Sequence, residues 1–347
     1  MTSRSTSQAL PSDSQYHVVG DDVPETTLFD PADVIKGLRR DPKRISSIYY
    51  YDDRGSLLFE QLSCEPTYYL TRTESRIIED NAHHVAELVG RSTIVELGCG
   101  NGSKSRHLLS GFIDAYRHVT YMPIDINRSI LVKNIEAIGS ALGGVTINAI
   151  VGTYRSGLSQ LAKVDGPKCV VFLGSTIGNM EDAEIAELLE WANSVMDADD
   201  YFLVGADLDK DSATLEAAYN NQTAILTNLA VLQHLNWRFN GNFDLFRFRH
   251  IAFHNVHEHR IESHLEATEP HQVKLEQLHF SCELKKGERI RTEISRKFLE
   301  RDFVSIFEVN GFRKIYKWND DNALCGLYLF AKVGAKREVV RLGEPMS

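Results

Sequence analysis

Ile94-Val95-Glu96-Leu97-Gly98-Cys99-Gly100-Asn101-Gly102-Ser103-Lys104 is the stretch whose reading decides the fold. A β-branched, apolar run ends in glycines at positions 98, 100 and 102, and Ser105-Arg106-His107-Leu108-Leu109 continues with helical character. The pattern predicts a buried strand, a tight turn and a helix. Glycine at such a turn lets the backbone take positive φ and lets a ligand approach the main chain with no Cβ in the way. A dinucleotide fingerprint, G-x-G-x-x-G/A, would put its last small residue at Ser103, which fits loosely. Glycines at 98, 100 and 102 after an acidic residue at the strand end suit a nucleoside-like ligand with no pyrophosphate to seat. The competing reading is a turn that merely joins strand to helix.

Outward from this turn, strands and helices alternate from residue 75, as a parallel sheet with crossover helices requires. Strands are predicted over 93–98, 120–126, 146–151, 168–174 and 201–206, with helices over 104–115, 129–142, 156–163 and 182–196. Ligands in such sheets sit beyond the carboxyl ends of the strands. That rule selects residues 98–102, Asp125, Thr153, Tyr154 and 174–179. Asp125 can accept two hydrogen bonds from ribose hydroxyls; capping the helix that begins near Ser129 is its structural alternative.

The flanks differ in pattern. Tyrosines crowd Ile48-Tyr49-Tyr50-Tyr51 and Pro66-Thr67-Tyr68-Tyr69, where core packing and a pocket role are equally open. Past Asp207 a long helical stretch runs to about residue 235, and residues 244–297 then alternate as antiparallel strands. The helix over 300–310 and the strands over 313–318 and 327–333 return to the main sheet. His254, His257 and His259 invite a metal reading, but on a strand His254 points away from the other two. Solvated strand residues are the expectation, with no metal site.

Bulk properties exclude several classes. The chain has 347 residues, 43% hydrophobic and 25% charged, ample for one large domain or two moderate ones. No apolar run approaches the ~20 residues of a membrane helix. A net charge of −10 and pI near 5.7 argue against a nucleic-acid backbone and for a small-molecule substrate. Five scattered cysteines without a C-x-x-C pair favour a reducing, cytoplasmic setting. Residues 1–15, rich in Ser and Thr without an apolar core, read as a disordered arm rather than a secretory signal.

Five collinear blocks carry a resemblance. They are Tyr51-Asp52-Asp53-Arg54-Gly55-Ser56, Pro66-Thr67-Tyr68-Tyr69-Leu70-Thr71-Arg72-Thr73-Glu74, Val95-Glu96-Leu97-Gly98-Cys99-Gly100, Phe172-Leu173-Gly174-Ser175-Thr176-Ile177-Gly178-Asn179 and Thr292-Glu293-Ile294-Ser295-Arg296-Lys297-Phe298. Together they resemble the histidine Nα-methyltransferases of ergothioneine biosynthesis, a family that includes dimethylallyltryptophan N-methyltransferases. The resemblance implies an α/β, doubly wound class I S-adenosylmethionine-dependent methyltransferase fold with a second α+β substrate-binding domain. Its boundaries would be a disordered arm over 1–20, the substrate-binding domain over 21–72 and 209–297, and the methyltransferase domain over 73–208 and 298–347. S-adenosylmethionine would lie against Gly98, Gly100, Lys104 and Asp125, with Thr153 and Tyr154 near the adenine. Thr153 departs from the aspartate usual there. Asn179 and Tyr219 would hold the substrate carboxylate; Tyr51, Tyr68 and the Gly174 carbonyl would lie close to the amine or ring, and Glu293 and Ser295 would receive the imidazole. Tyr51, Gly174 and Asn179 are thus the catalytic candidates.

The implied reaction is methylation of an amino-acid α-amine, L-histidine to Nα,Nα,Nα-trimethylhistidine (hercynine), by a monomer without nucleic acid or membrane partners. Two departures bear on the ring pocket. The helical stretch holding Leu226 and Leu229 is shorter than the family's, and Ser263 replaces a larger apolar residue. The alternatives are the same reaction on tyrosine, tryptophan or a prenylated tryptophan, a donor-binding protein without turnover, and a nicotinamide-linked oxidoreductase.

Overall fold

The computed structural model describes residues 16–19 and 29–334. In chain order the first half contains β1 (Tyr16–Val19), α1 (Pro31–Arg39), β2 (Lys43–Arg44), α2 (Asp53–Cys64), α3 (Leu70–Val89), β3 (Thr93–Leu97), α4 (Ser103–Tyr116), β4 (Val119–Asp125), α5 (Arg128–Ala141) and β5 (Val145–Val151). There follow α6 (Tyr154–Leu158), β6 (Lys168–Phe172), α7 (Asp182–Val195), β7 (Tyr201–Asp207), α8 (Ser212–Tyr219) and α9 (Gln222–Phe239). The chain continues through β8 (Phe248–Asn255), β9 (Arg260–Ala267), β10 (His271–Leu275), β11 (Phe280–Leu284) and β12 (Arg289–Arg296), then α10 (Glu300–Val309), β13 (Phe312–Asn319) and β14 (Cys325–Lys332).

The main sheet has the order β1-β5-β4-β3-β6-β7-β14-β13. Strands β5, β4, β3, β6 and β7 are parallel, and the β13–β14 hairpin closes one edge antiparallel to β7. Strand β3 sits in the middle because both its faces are apolar. Ile94 packs in one hydrophobic cluster and Val95 and Leu97 in the other, so helices must cover both faces. The order reverses at β3, where a crevice for ligands opens at the strand ends.

Most sequence-predicted elements appear within a residue or two, with three differences. Tyr16–Val19, expected within the disordered arm, pairs in parallel with β5, whose edge otherwise presents unpaired backbone groups. Residues 1–15 lie outside the described residues. The predicted helix to residue 235 is broken in two, because Asn221 caps α9 by accepting from the Ala224 amide at 2.8 Å. The helix predicted over 156–163 begins earlier and ends as the single turn α6, capped by Thr153.

A second sheet, β2-β12-β9-β8, and the β10–β11 hairpin come from the expected insertion and the N-terminal segment. Parallel pairing of β2 with β12 ties the two segments together. The Leu208–Phe298 bridge and the Lys297–Asp207 ion pair join β12 to the end of β7. Acceptor-side residues from β12 thereby reach the carboxyl ends of the main sheet.

Candidate active site

The turn after β3 is built for close approach. Gly98, Gly100 and Gly102 have φ of 66°, 53° and 79°, a region L side chains rarely adopt. A Cβ at Gly100 would meet nothing within 4 Å, so its backbone faces open space. The Asp125 carboxylate closes this concavity, accepting from the Gly100 amide at 3.1 Å and the Asn127 amide at 2.9 Å. Burial pushes its carboxyl up to about 6 against the pull of those two amides. Glycine backbone, half-buried carboxylate and the Tyr154 ring beside Gly98 fit the ribose and adenine of a nucleoside. The Thr153 hydroxyl is turned to its own helix, accepting from the Ser156 amide at 3.2 Å.

Behind the turn, Glu96 is buried and accepts from Ser105 at 2.6 Å and Tyr121 at 2.5 Å. Burial outweighs both bonds and lifts its carboxyl to about 7. A carboxyl raised in the folded state adds stability below its unfolded value, near 4.5, and loses it as the pH rises through about 7. Glu96→Gln is therefore expected to stabilise the ligand-free protein by on the order of 1–3 kcal/mol at pH 8 and to converge with the parent near pH 4.5. Thermal melts across that range check this; a constant offset at every pH would refute it.

Across the crevice, one cavity is lined by Tyr51, Tyr68, Gly174, Asn179, Tyr219, Glu293 and Ser295. These are all the acceptor-side residues read from the sequence. Gly174 has φ +80°, and its amide donates to both Glu74 carboxylate oxygens at 2.9 and 2.8 Å. The 3-10 turn Thr176–Asn179 carries Asn179, whose amide donates to Glu293 at 3.1 Å and to the Ile294 carbonyl at 2.8 Å. Glu293 also accepts from Ser263 at 3.4 Å. Enclosure in the cavity lifts the Glu293 carboxyl to about 7, opposed by Lys297, Ser263 and Asn179. Tyr219 and Ser295 share a hydroxyl–hydroxyl bond of 2.7 Å, and Tyr68 meets the Tyr219 ring edge-on at 5.9 Å.

The glycine turn and this cavity adjoin. Lys104 does not stand free for a ligand: it pairs with Glu74 at 2.6 Å, and the same carboxylate holds Gly174. Asn127 donates to the Tyr51 carbonyl at 3.2 Å. Each contact links an element of the turn region to a lining residue of the cavity.

Sequence reasoning missed part of the lining. Tyr50 donates to Asn228 at 2.9 Å, Thr292 donates to Asn228 at 2.6 Å, and Asn228 meets His250 at 2.8 Å. An asparagine inside the apolar run Ile225-Leu226-Thr227-Asn228-Leu229 was the available signal. Helical phase turns Ala224, Thr227 and Asn228 to the cavity and leaves Leu226 exposed, so Leu226 does not shape the ring pocket; Leu229 packs against the core. Ser263 does line it. Lys297 was also missed, although period two puts Glu293, Ser295 and Lys297 on one face of the chain. Asp209 contacts His259 at 2.7 Å and His254 at 3.6 Å, and no cluster of metal-ligating side chains occurs among the described residues.

A doubly wound sheet with a glycine turn after its central strand, a carboxylate ending the next and the antiparallel β14 set between β7 and β13 is the architecture of the S-adenosylmethionine-dependent methyltransferases. Within that class, a model of the histidine-specific, SAM-dependent methyltransferases matches residues 30–332, and the chain belongs to this family. Among its relatives, the histidine N-alpha-methyltransferase of Mycolicibacterium smegmatis is 35% identical over 299 residues, covering 86% of this chain and 93% of that one. The ergothioneine biosynthesis protein 1 of Neurospora crassa is 26% identical over 88% of this chain and 34% of its own length. A 4-dimethylallyltryptophan N-methyltransferase of Claviceps fusiformis is 30% identical over 51% of this chain and 50% of its own.

Proposed function

We propose that this chain methylates the α-amine of L-histidine with S-adenosylmethionine, up to Nα,Nα,Nα-trimethylhistidine, in ergothioneine biosynthesis. The observation that carries the reading is the pairing of Glu293 with Ser295 in one cavity beside the glycine turn. A carboxylate facing a ring N–H selects imidazole, because an apolar ring would leave a buried charge unpaired. Residues 29–72 and 209–297 form the substrate-binding domain and 73–208 and 298–334 the methyltransferase domain, which supplies the donor side and lends Gly174 and Asn179 to the acceptor cavity.

When bound, S-adenosylmethionine supplies an electrophilic methyl on a sulfonium. Gly98, Gly100 and Asp125 hold the nucleoside, and Tyr154 lies against the base. Asn179 and Tyr219 hold the substrate carboxylate. For Asn179 this means exchanging its bond to Glu293 for one to the ligand. Tyr51, Tyr68 and the Gly174 carbonyl orient the amine lone pair. The neutral amine forms the new N–C bond as the C–S bond breaks; after the first and second transfers the ammonium proton leaves to solvent, and the third gives a quaternary ammonium with no proton to lose. Positioning and a water-poor approach suffice, so no strong base is required. The enzyme acts as a cytoplasmic monomer on small molecules alone.

The test is mass spectrometry of purified protein with S-adenosylmethionine and each common amino acid plus tryptophan derivatives. Histidine is expected to gain three methyl groups. Methylation of tyrosine, tryptophan or a prenylated tryptophan in its place would keep the donor site and carboxylate clamp but overturn the substrate.

A further inference from the structure

Lys297 lies directly behind the acceptor cavity and is buried. Its ammonium donates to Asp207 at 2.7 Å, Ser295 at 2.8 Å and Tyr219 at 3.1 Å. Three contacts account for all three of its protons, and an ammonium accepts none. Asp207 is held besides by Tyr69 at 2.8 Å to both oxygens and by Lys210 at 2.5 Å. The cation is therefore fixed in place from below.

The consequence falls on the two hydroxyls. Each oxygen already accepts from Lys297, which turns its own proton away from the ammonium and polarises it, so each hydroxyl is biased toward donating. In the empty cavity one of those protons bridges Tyr219 and Ser295. A bound amino acid offers two better acceptors, a carboxylate and a bare ring nitrogen.

We propose that Lys297 is a positioning residue that makes Tyr219 and Ser295 hydrogen-bond donors toward the substrate, so that the pocket selects the neutral, singly protonated imidazole. This rests on the histidine reading above. Glu293, when ionised, accepts only and reads the ring N–H. Ser295, biased to donate, reads the bare nitrogen. Indole and pyrrole carry an N–H but no ring acceptor, so with either the Ser295 proton stays on Tyr219 and the complex forgoes the second ring hydrogen bond. Imidazolium presents a second N–H to that proton and lies close to the Lys297 charge.

The probes are histidine and the two isomers of pyrrolylalanine, pyrrol-2-yl and pyrrol-3-yl, which keep the N–H at either ring position and lack the bare nitrogen. The parent is expected to prefer histidine over both in kcat/KM. In Lys297→Met that preference is expected to fall at least about tenfold, chiefly through KM, with S-adenosylhomocysteine affinity unchanged. Lys297→Leu, a second apolar replacement that keeps the Asp207–Lys210 pair, carries the same expectation should Lys297→Met not fold. If neither folds, Ser295→Ala decides, since without that hydroxyl the bare ring nitrogen has no donor and the preference must fall likewise. An unchanged preference in any folded variant overturns the proposal while leaving the histidine assignment standing. A parent without activity on histidine overturns that assignment and the proposal with it.

Discussion

Glu293→Ala is expected to raise KM for histidine by about 10²-fold, with S-adenosylhomocysteine affinity within about twofold of the parent. The carboxylate lines the cavity, bonded by Asn179 and Ser263. In the complex it accepts the ring N–H, a bond to a charged group worth roughly 1.5–3 kcal/mol. The donor site lies across the crevice and shares no hydrogen bond with Glu293, so donor affinity is insulated. Steady-state kinetics beside calorimetric titration with S-adenosylhomocysteine separates these effects. Equal activity of variant and parent at low histidine would remove Glu293 from ring recognition. A parallel loss of donor binding would mean that the substitution had disturbed the fold.

The second large effect is expected at Asp125. Asp125→Ala should weaken S-adenosylhomocysteine binding by about 10²-fold, from the loss of two charge-assisted hydrogen bonds to ribose hydroxyls. Two backbone amides, of Gly100 and Asn127, also lose their acceptor. The glycine turn is then looser as well as less polar, and both changes act in one direction. Calorimetric titration reads the affinity, and a thermal melt without ligand reports whether the turn still folds. Donor affinity within about threefold of the parent would sink the assignment of Asp125 to the ribose.

The fold was legible because its signals are local. The apolar run through Leu97, the glycines after it and the strand-end Asp125 each follow from a few consecutive residues. So do the alternation of strands and helices and the closing hairpin. Errors arose where a capping side chain or a sheet edge decided the outcome. Asn221 ended one helix by starting the next, and the open edge of β5 recruited Tyr16–Val19.

The site was legible only as a set of names. All seven acceptor-side residues line one cavity, yet sequence order gave no sign that Asn179 would bond to Glu293, 114 positions away. Lys104 illustrates the converse. The resemblance sets it against the donor, and its ammonium also pairs with Glu74, whose carboxylate holds Gly174.

By itself the sequence determined the sheet, the nucleoside turn and the residue types of the acceptor pocket, since backbone propensity and apolar periodicity act over a few residues. Only the tertiary structure decided which polar groups converge. The irregular register between Arg291 and Glu293 sets which β12 side chains face the cavity, and a slip of one residue would send Glu293, Ser295 and Lys297 to the other face. The rotation of α9 likewise turns Asn228 inward and Leu226 out. Such choices rest on the balance of burial against hydrogen bonding across elements far apart in the chain, which no local pattern encodes.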